Sequence, residues 1–299
     1  MSKELFKGIF PAMITPFDKE GKLDLSALKS NIKRWNEYGL RGYLAAGSTG
    51  EAIFLGRKER LQLVETARNS MADGMTLVVG AGLESTAQSI KMCKNVAKAG
   101  ADAALVITPS FYKSSVSANA LEKHYRDIAN ASPIPLLLYN APKFTGLSMS
   151  VDTILSLAQH PNIAGIKDSS GNSQQLASII HAAPEDFAVL TGHAPSLAQA
   201  FICGADGAIL AVANVIPEIC VSLHRAAEAD SFTDVKYLHN LILPVSEVTG
   251  GAYGIGGLKR AMSMLDYTAG LPRPPLSSPT NAQTQKIQQA LQEVGLLKK

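Results

Sequence analysis

The chain has 299 residues, 46% hydrophobic and 18% charged, which is material for a large buried core and excludes a disordered or fibrous protein. A net charge of +3 without any lysine- or arginine-rich block argues against a nucleic-acid partner. Cys93, Cys203 and Cys220 are widely spaced and form no CxxC pair, so they read as reduced thiols rather than as a disulfide framework or a metal site. The opening residues Met1-Ser2-Lys3-Glu4-Leu5 read as neither a signal peptide nor a transit segment, and the apolar runs are strand-length. A cytoplasmic protein without a membrane partner is expected.

Taken in chain order, apolar runs at 8–15, 42–47, 76–81, 103–108, 135–140, 163–167, 187–191 and 207–213 read as strands. Most are continuous rather than alternating, the pattern of strands covered on both faces in a parallel sheet. Between them lie amphipathic stretches: 57–71 sets Leu61, Val64 and Ala67 on one side, and 85–99 does so with Ile90, Cys93 and Ala97. Gly39, Gly74 and Gly100 supply helix stops. Eight such alternations predict a closed (β/α)8 barrel over 1–230, with a doubly wound open sheet as the alternative; no GxGxxG follows the first strand. Three helical stretches at 232–248, 257–265 and 280–297 predict a helical appendage over 231–299. Leu271-Pro272-Arg273-Pro274-Pro275 reads as a rigid connector before the last helix.

Barrels of this kind carry chemistry at the carboxyl ends of their strands. The second strand ends in Ala46-Gly47-Ser48-Thr49-Gly50-Glu51, which reads either as an anion-binding turn with hydroxyl donors or as a capped helix start favoured by Glu51. The fourth ends in Thr108-Pro109-Ser110-Phe111-Tyr112, two aromatics that line a pocket, reach a neighbouring subunit, or pack locally. The fifth ends in Tyr139, a proton relay or a satisfied core phenol. The sixth ends in Lys167. Burial penalises a charged amine, so Lys167 is expected to be a nucleophile toward a carbonyl carbon. The bland alternative is an ion pair with Asp168, but neighbours on a strand point to opposite faces. The seventh ends in Thr191-Gly192-His193, where His193 is a candidate polar pocket residue or a surface histidine. The other histidines show no metal-ligand spacing, and GxxxxGK[ST] and GxSxG are absent.

In order along the chain, Gly47-Ser48-Thr49-Gly50-Glu51, Tyr139-Asn140-Ala141-Pro142 and Gly165-Ile166-Lys167-Asp168 resemble the pyruvate-dependent class I aldolase family of dihydrodipicolinate synthase and N-acetylneuraminate lyase. The resemblance covers essentially the whole chain. It implies a homotetrameric barrel, a dimer of dimers, whose only cofactor-like group is a covalent imine on Lys167 formed with pyruvate or another 2-keto acid; no metal is implied. Tyr139 would relay protons. Ser48 and Thr49 would hold the keto-acid carboxylate, and Thr49 would link Tyr139 to a second tyrosine from an adjacent subunit. That counterpart is Tyr112 or, one residue earlier, Phe111. Gly47, Ser169, Gly192, Ile209, Phe144 and His193 complete the candidate substrate-binding set.

The subgroup patterns are only partly met. Dihydrodipicolinate synthases resembling this chain carry an arginine where Phe144 stands, and sialate lyases carry polar residues where Ala194, Pro195 and Ala211 stand. Lys167-Asp168-Ser169-Ser170-Gly171 with Ala213-Asn214-Val215 is similar to 4-hydroxy-2-oxoglutarate and 2-keto-3-deoxy sugar acid aldolases. Phe144, Ala194, Pro195 and Ala211 are expected to make the local pocket apolar. The expected activity is reversible aldol cleavage of a 4-hydroxy-2-keto acid. Dihydrodipicolinate synthase, a sugar-acid dehydratase and a keto-acid-binding pseudoenzyme are the alternatives.

Overall fold

Strands that are apolar on both faces need cover on both, and here the sheet supplies one cover by closing on itself. A computed structural model describes residues 3–298; Met1, Ser2 and Lys299, the extreme residues of the two expected segments, lie outside the described residues. The strands are β1 (Gly8–Pro11), β2 (Gly42–Ala45), β3 (Thr76–Gly80), β4 (Ala103–Ile107), β5 (Leu136–Asn140), β6 (Ile163–Asp168), β7 (Ala188–Thr191) and β8 (Gly207–Leu210). All pair in parallel, in the order β1-β8-β7-β6-β5-β4-β3-β2. The seam between β1 and β2 is closed by the parallel bridge Ala12–Leu44 and by Met13 N donating to Leu44 O at 2.9 Å. The architecture is a (β/α)8 barrel.

Alternate strand residues fill the interior: Phe10, Leu44, Val78, Leu105, Leu137, Leu190 and Ile209, with Phe6 below them. The other faces pack against eight helices: α1 (Leu25–Trp35), α2 (Arg57–Arg68), α3 (Thr86–Lys98), α4 (Ala118–Ala131), then, after the one-turn α5 (Pro142–Thr145), α6 (Val151–Ala158), α7 (Ser173–Ala182), α8 (Leu197–Ile202) and α9 (Pro217–Glu228). Side-chain caps from Asp24, Ser85, Ser117, Ser150 and Asn172 start five of them. Among the described residues, no helix is long and apolar enough to cross a membrane.

The first and eighth strands fall furthest short of the apolar pattern, for one reason. The first stops at Pro11 rather than residue 15 and the eighth at Leu210 rather than residue 213, where the chain turns into a 3-10 helix, Val212–Asn214. The buried Asn214 side chain replaces the ladder there: its Nδ2 donates to Ala12 O at 2.8 Å, and its Oδ1 accepts from Ile14 N at 3.2 Å. The sixth strand is one residue longer than predicted, because Asp168 pairs with both Asn140 and Thr191.

Beyond α9 lie α10 (Phe232–Ser246), which runs on through a π-helical turn (Glu247–Gly251), α11 (Gly254–Met264) and α12 (Asn281–Glu293). The proline-rich connector between the last two is more than a spacer. Arg273 lies over the Phe17 ring at 4.1 Å and donates to Phe54 O at 2.7 Å and Gly21 O at 2.8 Å. It also pairs with Glu59, whose carboxyl that guanidinium holds below the usual range despite partial burial. The C-terminal segment thus straps the rim beside β2.

That rim is tightly packed. A Cβ on Gly80 would lie 2.0 Å from the Ala46 carbonyl oxygen, where backbone meets backbone and no side chain can yield. Gly80→Ala is expected to cost about 1–3 kcal/mol, the range for overpacking a filled site. Urea unfolding measures it, and an unchanged midpoint would show that the rim relaxes freely.

Candidate active site

Register decides which side chains meet at the mouth. β5 and β6 pair Tyr139 with Lys167 and Asn140 with Asp168. Side chains alternate between faces, so the first pair shares the barrel interior and the second lies behind it. Lys167 is 4% exposed, and its Nζ sits 4.5 Å from the centre of the Tyr139 ring. Among the described residues it makes no ion pair. Asp168 is occupied elsewhere: Oδ2 accepts from Asn140 Nδ2 at 2.7 Å, and Oδ1 accepts from Ser170 N at 3.0 Å and Ser170 Oγ at 2.5 Å. Asn140 Oδ1 accepts in turn from Met149 N at 3.1 Å. The Lys167–Asp168 ion pair weighed from the sequence is absent, and the carboxylate instead fixes the backbone that aims the lysine.

Gly192 explains how the lysine stem is packed. A Cβ there would lie 2.7 Å from Lys167 Cε and 1.9 Å from Ser169 Oγ, so both side chains occupy the space a larger residue would take. Ser169 Oγ is buried without a hydrogen-bond partner, a donor already inside the site beside the amine. Next to it, His193 Nδ1 meets Ser196 Oγ at 2.9 Å, and the ring stacks over Gly171. Burial holds His193 below the usual imidazole range; Asp168 opposes that shift and Lys143 adds to it. The ring is therefore uncharged near neutral pH, a hydrogen-bonding group rather than a cation. Ile209 is 1% exposed in the barrel packing beneath.

The order of strands puts β2 opposite β6, so the turn from Gly47 to Glu51 lies across the mouth from Lys167. Ser48 and Thr49 are half-buried, and their hydroxyls make no hydrogen bond among the described residues. The expected link from Thr49 to Tyr139 is not formed within this single chain. The turn is not a helix start: Glu51 takes a left-handed φ of 55°, a short 3-10 helix (Ala52–Phe54) follows, and α2 begins only at Arg57. Glu51 is instead buried against Lys259 of α11, Nζ to Oε1 at 2.7 Å. Sequence reasoning missed this pair. The signal was available, since Lys259 stands in an apolar helix face with Leu258 and Met262, as conspicuous there as Lys167 is in its strand.

The aromatic loop after β4 projects outward. Phe111 and Tyr112 are 77% and 71% exposed and touch each other edge to face, with centroids 4.9 Å apart. Neither is brought to Tyr139 by this chain alone. The Glu84 carboxylate shapes the loop by accepting from Ser110 Oγ at 2.6 Å and from the amides of Ser110 and Phe111, both at 3.0 Å. Of the expected apolar wall, Phe144 on α5 and Pro195 are exposed, Ala194 is buried and Ala211 is half-buried against the outer core. A cavity of about 350 Å³ lies at the opposite, amino-terminal end of the barrel, lined by Lys7, Arg41, His224 and Glu228, away from these residues.

A barrel with an unpaired buried lysine on its sixth strand and a tyrosine beside it has the design of a lysine Schiff-base enzyme. Residues 5–294 match the model of the dihydrodipicolinate synthetase family, and the chain belongs to that family, whose members are class I pyruvate-dependent lyases and condensing enzymes. It is 31% identical, over 98% of its length and 100% of the relative's, to a 4-hydroxy-tetrahydrodipicolinate synthase of Archaeoglobus fulgidus. It is 32% identical, over 98% of its length and 96% of the relative's, to a probable mitochondrial 4-hydroxy-2-oxoglutarate aldolase of Emericella nidulans. Its structure superposes on dihydrodipicolinate synthase from Acinetobacter baumannii, solved with pyruvate, with a TM-score of 0.91 at 29% identity, covering 98% of this chain and 100% of the other.

Gly192→Ala is expected to push the Lys167 stem and Ser169 from their shared space. Turnover should fall by about 100-fold, as for a misplacement of about 1 Å at a reacting group. The global unfolding midpoint should move little by comparison. Wild-type turnover in the folded variant would show that the two side chains tolerate displacement.

Proposed function

We propose that this chain cleaves a 4-hydroxy-2-keto acid reversibly to pyruvate and an aldehyde, through an imine on Lys167. The observation that carries the reading is the placement of Lys167: buried on the inner face, without a carboxylate partner, and against the ring of the residue paired with it across the sheet. An amine so placed is free of ion pairs among the described residues, and the 2-keto carbon is the electrophile it suits.

The steps follow from the chemistry. Lys167 Nζ attacks C2, and uptake of a proton from solvent with loss of water gives a protonated imine, the proton being released again when the imine is hydrolysed. Tyr139 takes the proton from the C4 hydroxyl as the C3–C4 bond breaks. The bonding pair moves into the imine system as an enamine, and the aldehyde leaves. The enamine is protonated at C3, and water hydrolyses the imine to release pyruvate and restore the amine. Ser48 and Thr49 are proposed to receive the keto-acid carboxylate, with Ser169 and neutral His193 donating to substrate oxygens. Tyr112 of a neighbouring copy is proposed to complete the relay in a homotetramer, and residues 1–230 to form the catalytic unit with 231–299 as its appendage.

Phe144 favours an aldehyde half without a carboxylate, as in the 2-keto-3-deoxy sugar acid type, since a phenyl ring offers a carboxylate no donor; the 4-hydroxy-2-oxoglutarate type is supported by the name of the Emericella relative. The second reading, condensation of pyruvate with aspartate semialdehyde, is supported by the name of the Archaeoglobus relative. Turnover of a panel of 4-hydroxy-2-keto acids, with pyruvate release as readout, separates the two. The proposal expects release from the panel; formation of a cyclic dihydropyridine from aspartate semialdehyde without it would favour condensation.

Borohydride with pyruvate should fix a reduced adduct on the peptide carrying Lys167, found by mass mapping, and Lys167→Ala should lose both adduct and turnover. Tyr139→Phe should retain the adduct while turnover falls by about 10²–10⁴-fold, the usual worth of a positioned proton relay. An unmodified Lys167 in folded, pyruvate-bound protein would overturn the mechanism.

A further inference from the structure

We propose that Lys259, on α11 of the C-terminal segment, is a positioning residue of the keto-acid site. It holds, through Glu51 and Thr15, the turn whose Ser48 and Thr49 receive the substrate carboxylate. The inference rests on the keto-acid reading of that turn and assigns what keeps it in shape.

The turn is held in a conformation that its residues do not favour. Ala46 and Glu51, at its two ends, both have left-handed backbone angles, φ 50° and 55°. Side chains other than glycine rarely adopt that region without outside constraint. The turn closes on itself through Glu51 N donating to Ser48 O at 3.1 Å and Ala52 N donating to Gly47 O at 3.2 Å, and further bonds brace it from the side away from the Ser48 and Thr49 hydroxyls. Thr15 Oγ1 donates to Gly50 O at 2.6 Å. Glu51 Oε2 accepts from Arg273 N at 2.8 Å, and Glu51 Oε1 faces Lys259 Nζ at 2.7 Å.

Lys259 is the hub of this arrangement. It is 1% exposed, and besides Glu51 its Nζ donates to Thr15 O at 2.8 Å and to Leu271 O at 3.0 Å. The Phe17 ring closes the remaining side, 4.5 Å from Nζ. One ammonium thus ties together the loop after β1, the turn after β2 and the C-terminal strap. Burial lowers the lysine's affinity for its proton, and Glu51 works against that shift. Lys259 and Glu51 are almost completely buried and meet neither the mouth nor Lys167, so the pair acts on the reaction only by holding the backbone. An ion pair kept merely for stability would protect folding and leave substrate affinity alone. A positioning pair controls how well the turn receives a carboxylate.

The test compares wild type with Lys259→Met and Glu51→Gln. It uses calorimetric pyruvate affinity, the pyruvate concentration that half-saturates borohydride trapping, and circular dichroism to confirm folding. The expected result is a loss of pyruvate affinity of about 10- to 100-fold, the scale of one charge-assisted hydrogen bond. The trapped yield at saturating pyruvate should still approach that of wild type, because Lys167 is untouched. This is a rise in KM without a matching fall in kcat. Folded variants with wild-type pyruvate affinity would overturn the proposal. Glu51→Gln keeps side-chain volume and the contact with Arg273 N, so it carries the same test should Lys259→Met not fold. A wild type that binds pyruvate but leaves Lys167 unmodified overturns the imine mechanism, while affinity still decides the role of Lys259. A wild type that binds no pyruvate overturns both.

Discussion

Strand alternation at one pair of neighbours sets the character of this molecule. Because β5 and β6 pair residue for residue, Tyr139 and Lys167 are delivered together to the barrel interior, and Asn140 and Asp168 together to its outer layer. The nearest carboxylate in sequence is thereby kept from the amine and spent on Asn140 and Ser170. A slip of one residue would exchange the two pairs, hiding the lysine in the outer layer and exposing an acid at the mouth. The long ladder, the filled interior and the Asn214 suture at the seam all hold that register.

The fold was legible in the sequence because continuous apolar runs of strand length, spaced by amphipathic stretches, admit few architectures. Errors fell where side chains replaced backbone pairing. Residues 12–15 and 211–213 are as apolar as strands, but Asn214 takes the hydrogen bonds a ladder would have made. The site was legible where it obeyed a local rule. Lys167 stood out as a charge at the end of a buried strand, and alternation separated it from Asp168. The parts that escaped depend on distant contacts. Nothing near Glu51 in the sequence announces that its partner is Lys259. Within the chain, Tyr112 is exposed and the Thr49 hydroxyl makes no hydrogen bond among the described residues, so its own contacts say nothing of either role expected from the sequence.

Charge is used economically around the mouth. Glu84 shapes the aromatic loop with three donors, and its carboxyl stays below the usual range because the Ser110 hydroxyl and two amides outweigh the burial that would raise it. His193 is kept neutral by burial. The buried pair of Glu51 and Lys259 is set behind the turn, where breaking it would strand a charge rather than alter the reaction directly. At the strand ends the hydroxyls of Ser48, Thr49 and Ser169 make no hydrogen bond among the described residues, and the Glu51–Lys259 pair braces the second turn from behind.

The strap has a consequence for the timing of synthesis. Lys259 and Arg273 reach partners that lie 244 and 222 residues earlier in the chain. A ribosome-bound chain can lay down all eight strands, and begin to close them, before either residue has emerged. The rim next to β2 acquires its anchors only when translation is nearly finished. The bracing of the turn from Gly47 to Glu51 is therefore completed only after all eight strands have been made.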